Sequence, residues 1–222
     1  MTDYNKQGID QMQEGKFEEA ASSFNKAIEE DPNDAVAFAN FGNLLTAAGE
    51  PEKAIAFYEK AIGIDETVAA AYYGAGNAHY HLEQYEQAAK RYGEALREGL
   101  EESDVFFMMG MSFTQQDNIR NALPHFQRAV ELDEDDVEAR FQFGLTLAKM
   151  ESIDEAVSQL QKVIERDPEH ADAYFNLGVA YAYKDDAGKA LEMFNKALEI
   201  QPDHLLAGNG KKNVEAILSD RD

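Results

Sequence analysis

The sequence repeats itself every 34 residues. Gly8, Gly42, Gly76, Gly110, Gly144 and Gly178 fall in one column, and Ala20, Ala54, Ala88, Ala122, Ala156 and Ala190 in a second. A third column reads Phe24, Tyr58, Tyr92, Phe126, Leu160, Phe194, and a fourth reads Ala27, Ala61, Ala95, Ala129, Val163, Ala197. The phase holds through six copies without insertion or deletion. Self-similarity at a fixed period of this size predicts an array of like units, each packed mainly on its neighbours. Tyr4, Gly8 and Gln11 share one face of a first helix, and Ala20, Phe24, Ala27 and Ile28 share one face of a second. That spacing is helical, so each unit is expected to be two helices, over positions 2–14 and 18–30. The Gly and Ala columns mark where the two helices approach closely while the third column fills the space beside them.

The cleanest copy, Ala171 to His204, carries Tyr174, Leu177, Gly178, Tyr181, Ala190, Phe194, Ala197 and Pro202. In these residues the unit resembles the tetratricopeptide repeat (TPR), a helix–turn–helix module. The resemblance covers residues 1–204 and implies an all-α, right-handed superhelical solenoid. The expected units are 1–34, 35–68, 69–102, 103–136, 137–170 and 171–204. Residues 205–222 fall out of phase and are expected to form a C-terminal capping helix and tail, with Leu206, Gly210, Val214, Ile217 and Leu218 along one face.

Some copies depart from the pattern. Repeat three closes on Gly99-Leu100 without Pro, repeat four has Asp117-Asn118 in place of the expected glycine and Pro124 early in its second helix, and repeat five puts Arg140 where an aromatic belongs. Pro124 is expected to cost about one helical hydrogen bond.

Charge limits the partners. The chain has 43 acidic and 20 basic residues, a net charge of −23, spread over every repeat. Phosphate-backbone binding needs a basic surface to displace counterions, so neither nucleic acid nor an anionic membrane is an expected partner. There is no cysteine, which removes disulfides and thiolate chemistry. No basic and apolar leader and no long apolar run is evident, so a cytoplasmic location is expected.

Chemistry is equally constrained. His79, His81, His125, His170 and His204 are not spaced as metal ligands or as a catalytic set. The Asp133-Glu134-Asp135-Asp136 turn has Val137 where a calcium loop needs a ligand. Gly208-Asn209-Gly210-Lys211 lacks the spacing and preceding strand of a phosphate loop. No cofactor, metal or catalysis is expected.

The resemblance instead implies a concave groove lined by the first helices, at positions 2, 5, 6, 9, 12 and 13 of each repeat. Position 5 gives an aromatic ladder of Tyr73, Phe107, Phe141 and Phe175, joined by Tyr80 at position 12. Positions 6 and 9 supply Asn40, Asn43, Asn77, Gln142 and Asn176, with Met108 and Met111 as an adaptable floor. Gly74 is expected to open the groove locally. Aromatics supply contact area, and amides both donate to and accept from a peptide backbone. The family implication is a non-catalytic scaffold or adaptor that binds an extended or helical peptide segment of another protein, with self-association through end faces as the alternative. The chaperone-tail subset of the family clamps a carboxylate with cations. Here the clamp positions hold Asn5, Ile9, Asn40, Ala70 and Gly74, or Ala39, Asn43, Gly74, Asp104 and Met108, so no such tail is expected.

Overall fold

A computed structural model describes residues 2–219, and those residues form thirteen helices and no strand. In chain order they are α1 (Tyr4–Gln13), α2 (Phe17–Glu30), α3 (Ala35–Ala47), α4 (Pro51–Ile64), α5 (Ala69–His81), α6 (Tyr85–Arg97) and α7 (Ser103–Gln115). There follow α8 (Ile119–Leu132), α9 (Val137–Lys149), α10 (Ile153–Arg166), α11 (Ala171–Tyr183), α12 (Ala187–Ile200) and α13 (Leu205–Ser219). Packing divides the chain into two compact units, one running to Asn118 and one starting at Ile119. The division falls between the two helices of the fourth repeat.

In the first unit each helix packs on the next, and α1, α3, α5 and α7 also pack on one another in sequence. In the second unit α9, α11 and α13 do the same. The even helices do not pack on one another to a comparable degree within either unit. The odd helices therefore form the more closely spaced layer of each unit.

In repeats one, two, three and six a ring anchors the packing between the layers. A Cβ added at Gly8 would sit 2.5 Å from Phe24, at Gly42 2.7 Å from Tyr58, at Gly76 2.5 Å from Tyr92, and at Gly178 2.6 Å from Phe194. Each ring is pressed flat on the opposite helix backbone, where no side chain can stand. Small residues complete the surroundings: Tyr58 lies among Ala54, Ala61, Ala71, Ala75 and Ala78, and Tyr92 among Ala88, Ala95, Tyr72 and Val105. Two rings are covered from a second side as well. Gly74 of the following repeat lies against Tyr58, and Gly210 of α13 lies against Phe194. The role of Gly74 is thus to seat Tyr58, and any opening of the groove follows from that.

The turns explain the helix starts. Asp3, Asp34 and Asp136 accept from the backbone N–H groups of Lys6, Ala37 and Ala139 at 2.9–3.0 Å. Histidine takes the same place ahead of α11 and α13, where His170 and His204 accept through Nδ1 from Ala173 and Ala207 at 3.2 Å. A capping bond of this kind satisfies one of the free donors of a helix's first turn. Gly15 and Gly49 turn the first two hairpins with φ of 75° and 77°, but Glu83, Asp117, Glu151 and Asp185 take that left-handed place in the next four. Repeat three, lacking its proline, closes instead on Gly99 at φ 91°, with Leu100 N–H donating to the Ala95 carbonyl.

The departures are absorbed locally. α8 runs unbroken through Pro124. Arg140 is buried and reaches the Gln159 side chain at 3.0 Å and the Glu134 carbonyl at 2.7 Å. In α13, Ala207 and Val214 are buried and Leu218 packs on the core, while Leu206 and Ile217 point to solvent. The face expected for this helix is therefore only partly the buried one.

Two stability tests follow. Gly74→Ala pushes a methyl into the Tyr58 ring and is expected to cost about 2 kcal/mol. Gly63→Ala has open space around its Cβ and is expected to gain about 0.5–1 kcal/mol. Urea titration of both separates the packing requirement from helix propensity. Glu83→Gly and Glu151→Gly, which relieve a left-handed backbone, are each expected to raise stability by about 1 kcal/mol in the same titration.

Candidate functional site

All twelve residues singled out for the groove lie on odd helices. Asn40 and Asn43 are on α3, Tyr73, Asn77 and Tyr80 on α5, and Phe107, Met108 and Met111 on α7, all in the first unit. Phe141 and Gln142 on α9, and Phe175 and Asn176 on α11, belong to the second. Each set is considered within its own unit.

In the first unit the amides are already engaged. Asn40 Nδ2 donates to Asn5 Oδ1 at 3.0 Å, tying α3 to α1. The hydroxyl of Tyr58 donates to Asn43 Oδ1, and that of Tyr92 to Asn77 Oδ1, both at 2.8 Å. Tyr58 and Tyr92 come from α4 and α6 and are 1% and 0% exposed, so the hydroxyls reach the inner layer through the core. Thr46 Oγ1 lies 3.2 Å from the Tyr58 hydroxyl. The Tyr73 ring sits 5.8 Å from that of Tyr92. Tyr80 packs edge-on against Tyr85 at 5.3 Å. Met108 packs on the Tyr92 cluster. Phe107 and Met111 are half-buried. Asn43, Tyr73, Asn77 and Tyr80 all keep part of their surface in solvent. The exposed formal charges at the groove positions of α1, α3, α5 and α7 are few, Lys6 on α1 and Asp104 on α7.

In the second unit the aromatics face inward. Phe141 is 8% exposed and packs on His170 at 4.5 Å. Phe175 is half-buried between His204, at 5.1 Å, and Phe194, at 6.0 Å. Gln142 donates to Glu138, and Asn176 donates to the Asp172 carbonyl, both at 2.8 Å. Asp172 Oδ1 in turn lies 3.1 Å from His204 Nε2. Here the ladder rings and the histidine caps form one packed row. Exposed apolar surface on the same helices comes instead from Val179 at 46% and Tyr183 at 65%.

The buried hydroxyls titrate abnormally. Burial pushes the Tyr58 phenol up to about 12, with the Thr46 hydrogen bond offsetting part of the rise. Tyr92 is raised by burial first, then by Tyr73 and Tyr80 nearby. Tyr73 and Tyr80 are raised too, again chiefly by burial.

The residues that sequence reasoning passed over are Tyr58, Tyr92 and Thr46. A signal existed: the two repeats with Tyr in the third column are the two with Asn at position 9. Among the described residues no group of three or more His, Asp or Glu is arranged to hold a metal ion. No described helix is long and apolar enough to cross a membrane.

The paired helices, with a large apolar side chain or tyrosine ring seated on a glycine in repeats one, two, three, five and six, define a helix-hairpin repeat protein. A tetratricopeptide repeat family model matches residues 73–137 and 141–204, and two further TPR models match 11–62 and 42–83. This chain belongs to the tetratricopeptide repeat family. It is similar to the crystal structure of YrrB, described as a TPR protein with an unusual peptide-binding site. The TM-score is 0.83 and the identity 52%, over 86% of this chain and 99% of that one. The curated TPR repeat-containing protein YrrB of Bacillus subtilis (strain 168) is 54% identical over 39 residues, which is 18% of this chain and 19% of that protein. The match therefore spans about a fifth of the curated relative's length. PilF of Pseudomonas aeruginosa shares the fold, with a TM-score of 0.80 at 23% identity over 95% and 96% of the two chains.

The raised Tyr58 pKa gives a pH test. The neutral phenol is favoured in the fold, so its contribution is whole below pH 10 and is lost as pH rises towards about 12. At about 1.4 kcal/mol per unit, the loss is on the order of 2–3 kcal/mol. Urea unfolding at pH 9 and pH 11.5 should show it, and Tyr58→Phe should make the profile shallower by that share, the part due to Tyr92 remaining.

Proposed function

We propose that this protein is a non-catalytic interaction scaffold that binds a peptide segment of a partner protein along the inner helices of the first unit. The observation that carries this reading is the surface of α3, α5 and α7. It leaves amide, aromatic and thioether side chains half-exposed side by side, with few formal charges among them. Aromatic and Met surface supplies contact area with little sequence selectivity, and amides suit a peptide main chain. The resemblance to YrrB, whose structure is described as having an unusual peptide-binding site, supports a peptide as the ligand. The first unit is the better candidate, because in the second unit Phe141 is buried and the Gln142 and Asn176 amides donate to groups on their own helices.

A random dodecamer peptide library on beads tests the reading. Met111→Asp on α7 puts a charge on the half-buried inner surface and is expected to cut peptide retention about tenfold, with thermal unfolding close to wild type. Chemical-shift changes on adding the selected peptides should fall on α3, α5 and α7. Shifts confined to the even helices, together with full retention by Met111→Asp, would place binding elsewhere.

A further inference from the structure

The buried tyrosine hydroxyls present a puzzle of packing. All six repeats carry the same two columns, a glycine in the first helix and a large side chain in the second. Four do so without a polar atom: by position in the repeat they combine Ile9 with Phe24, Met111 with Phe126, Leu145 with Leu160, and Val179 with Phe194. Only repeats two and three use tyrosine, and only they place asparagine at position 9. A buried hydroxyl needs a partner and adds little net stability when it has one. The hydroxyl–amide pair is therefore not what the packing requires, since Phe and an apolar residue serve it in the same scaffold.

What the pair does achieve is orientation. A phenol O–H donating to Oδ1 fixes which end of the carboxamide points into the core. The Nδ2 group, a donor only, is then turned away from the core. Asn43 and Asn77 are both half-buried, on adjacent inner helices that pack together. Each carboxamide nitrogen carries two N–H donors. Neighbouring packed helices lie about 8–10 Å apart, and an extended chain in the polyproline II form rises about 3.1 Å per residue with three residues per turn, so every third carbonyl faces the same way. Two donors one repeat apart thus match main-chain carbonyls about three residues apart.

We infer that Asn43 and Asn77 grip main-chain carbonyls of an extended peptide crossing α3 and α5, and that Tyr58 and Tyr92 are the positioning residues that aim those amides from inside the core. The inference rests on the groove proposed above and adds the ligand's bound form and the groups that hold it. Recognition through carbonyls is blind to side chains at the gripped positions, so specificity must come from the aromatic and Met surface to either side.

The test transplants the repeat-six solution. The variant Tyr58→Phe/Asn43→Val/Tyr92→Phe/Asn77→Val has the Phe and Val that repeat six combines. It is expected to melt at or above the wild-type temperature and to retain about tenfold less of the bead-bound dodecamer library. Tyr58→Phe/Tyr92→Phe alone keeps both amides and should lose about threefold. A positioning role has its own signature. In the best-retained peptide, replacing one amide by an ester weakens a single carbonyl as acceptor. Ester replacement should weaken wild-type binding at two positions about three residues apart and have no position-specific effect on the Tyr→Phe variant.

Equal retention by wild type and the fourfold variant, including no retention by either, overturns the inference. So does a large loss of thermal stability in the fourfold variant, which would mean the pairs exist for packing. If Met111→Asp loses peptide and the fourfold variant does not, the groove stands and this inference falls. If neither loses peptide, both fall.

Discussion

The contact on which the rest depends is a flat ring against a bare stretch of helix backbone. In repeats one, two, three and six a Cβ on the position-8 glycine would lie within 2.7 Å of the ring opposite. Without that close approach the two helices of a hairpin would stand further apart, and the alanines around the ring would no longer touch. Repeat five shows the tolerance of the arrangement. Leu160 replaces the ring, and a Cβ on Gly144 would still meet it at 3.1 Å, so the leucine fills the place with a small margin to spare. The same requirement extends one repeat further at Gly74 and Gly210, where the next inner helix covers the ring from its other side. That places α13 in the register of an inner helix, although its sequence has left the repeat.

This contact also explains why the inner face has the chemistry it has. A ring that spans the core from the even to the odd layer carries its para substituent to the inner helices. When the ring is Phe, nothing polar arrives there. When it is Tyr, a hydroxyl arrives and demands an acceptor, and position 9 supplies asparagine in both cases. A choice made in the even helices thereby sets the orientation of an amide in the odd ones. The elevated phenol pKa of Tyr58 reflects the same burial.

The fold was legible because it is periodic: a column that recurs six times leaves few alternatives for what its residues do. The helix count, the hairpin pairing and the out-of-phase last helix could all be taken from the columns. The site was legible only as a list of positions. Asn40, Asn43, Gln142 and Asn176 sit on the odd helices where the repeat predicts, but their hydrogen bonds to Asn5, Tyr58, Glu138 and Asp172 depend on side-chain reach across or along helices. Phe141 and Phe175 belong to the ladder by position, yet they pack on His170 and His204. Those histidines take a capping place that Asp34 and Asp136 fill elsewhere, and spacing alone does not distinguish a histidine that caps from one that is merely exposed. Leu206 and Ile217 share a helical face with Val214, but the solvent boundary cuts through that face.

Each unit uses its own inner helices for a different end. In the second, each ladder ring is held by the cap of the next inner helix, so aromatic surface is spent on joining successive repeats. In the first, the caps preceding α5 and α7 are Val68 and Glu102, neither of which forms a side-chain capping bond. Tyr73 has no histidine to lie on and rests on Tyr92 and Asn77 instead. The residue that ends one repeat thus decides whether the aromatic at position 5 is absorbed into a joint or left partly in solvent. A ligand face on this scaffold needs both halves of that arrangement: rings not claimed by a neighbouring cap, and amides whose orientation is set from beneath. Among the six repeats, the stretch from α3 to α7 is where the two coincide.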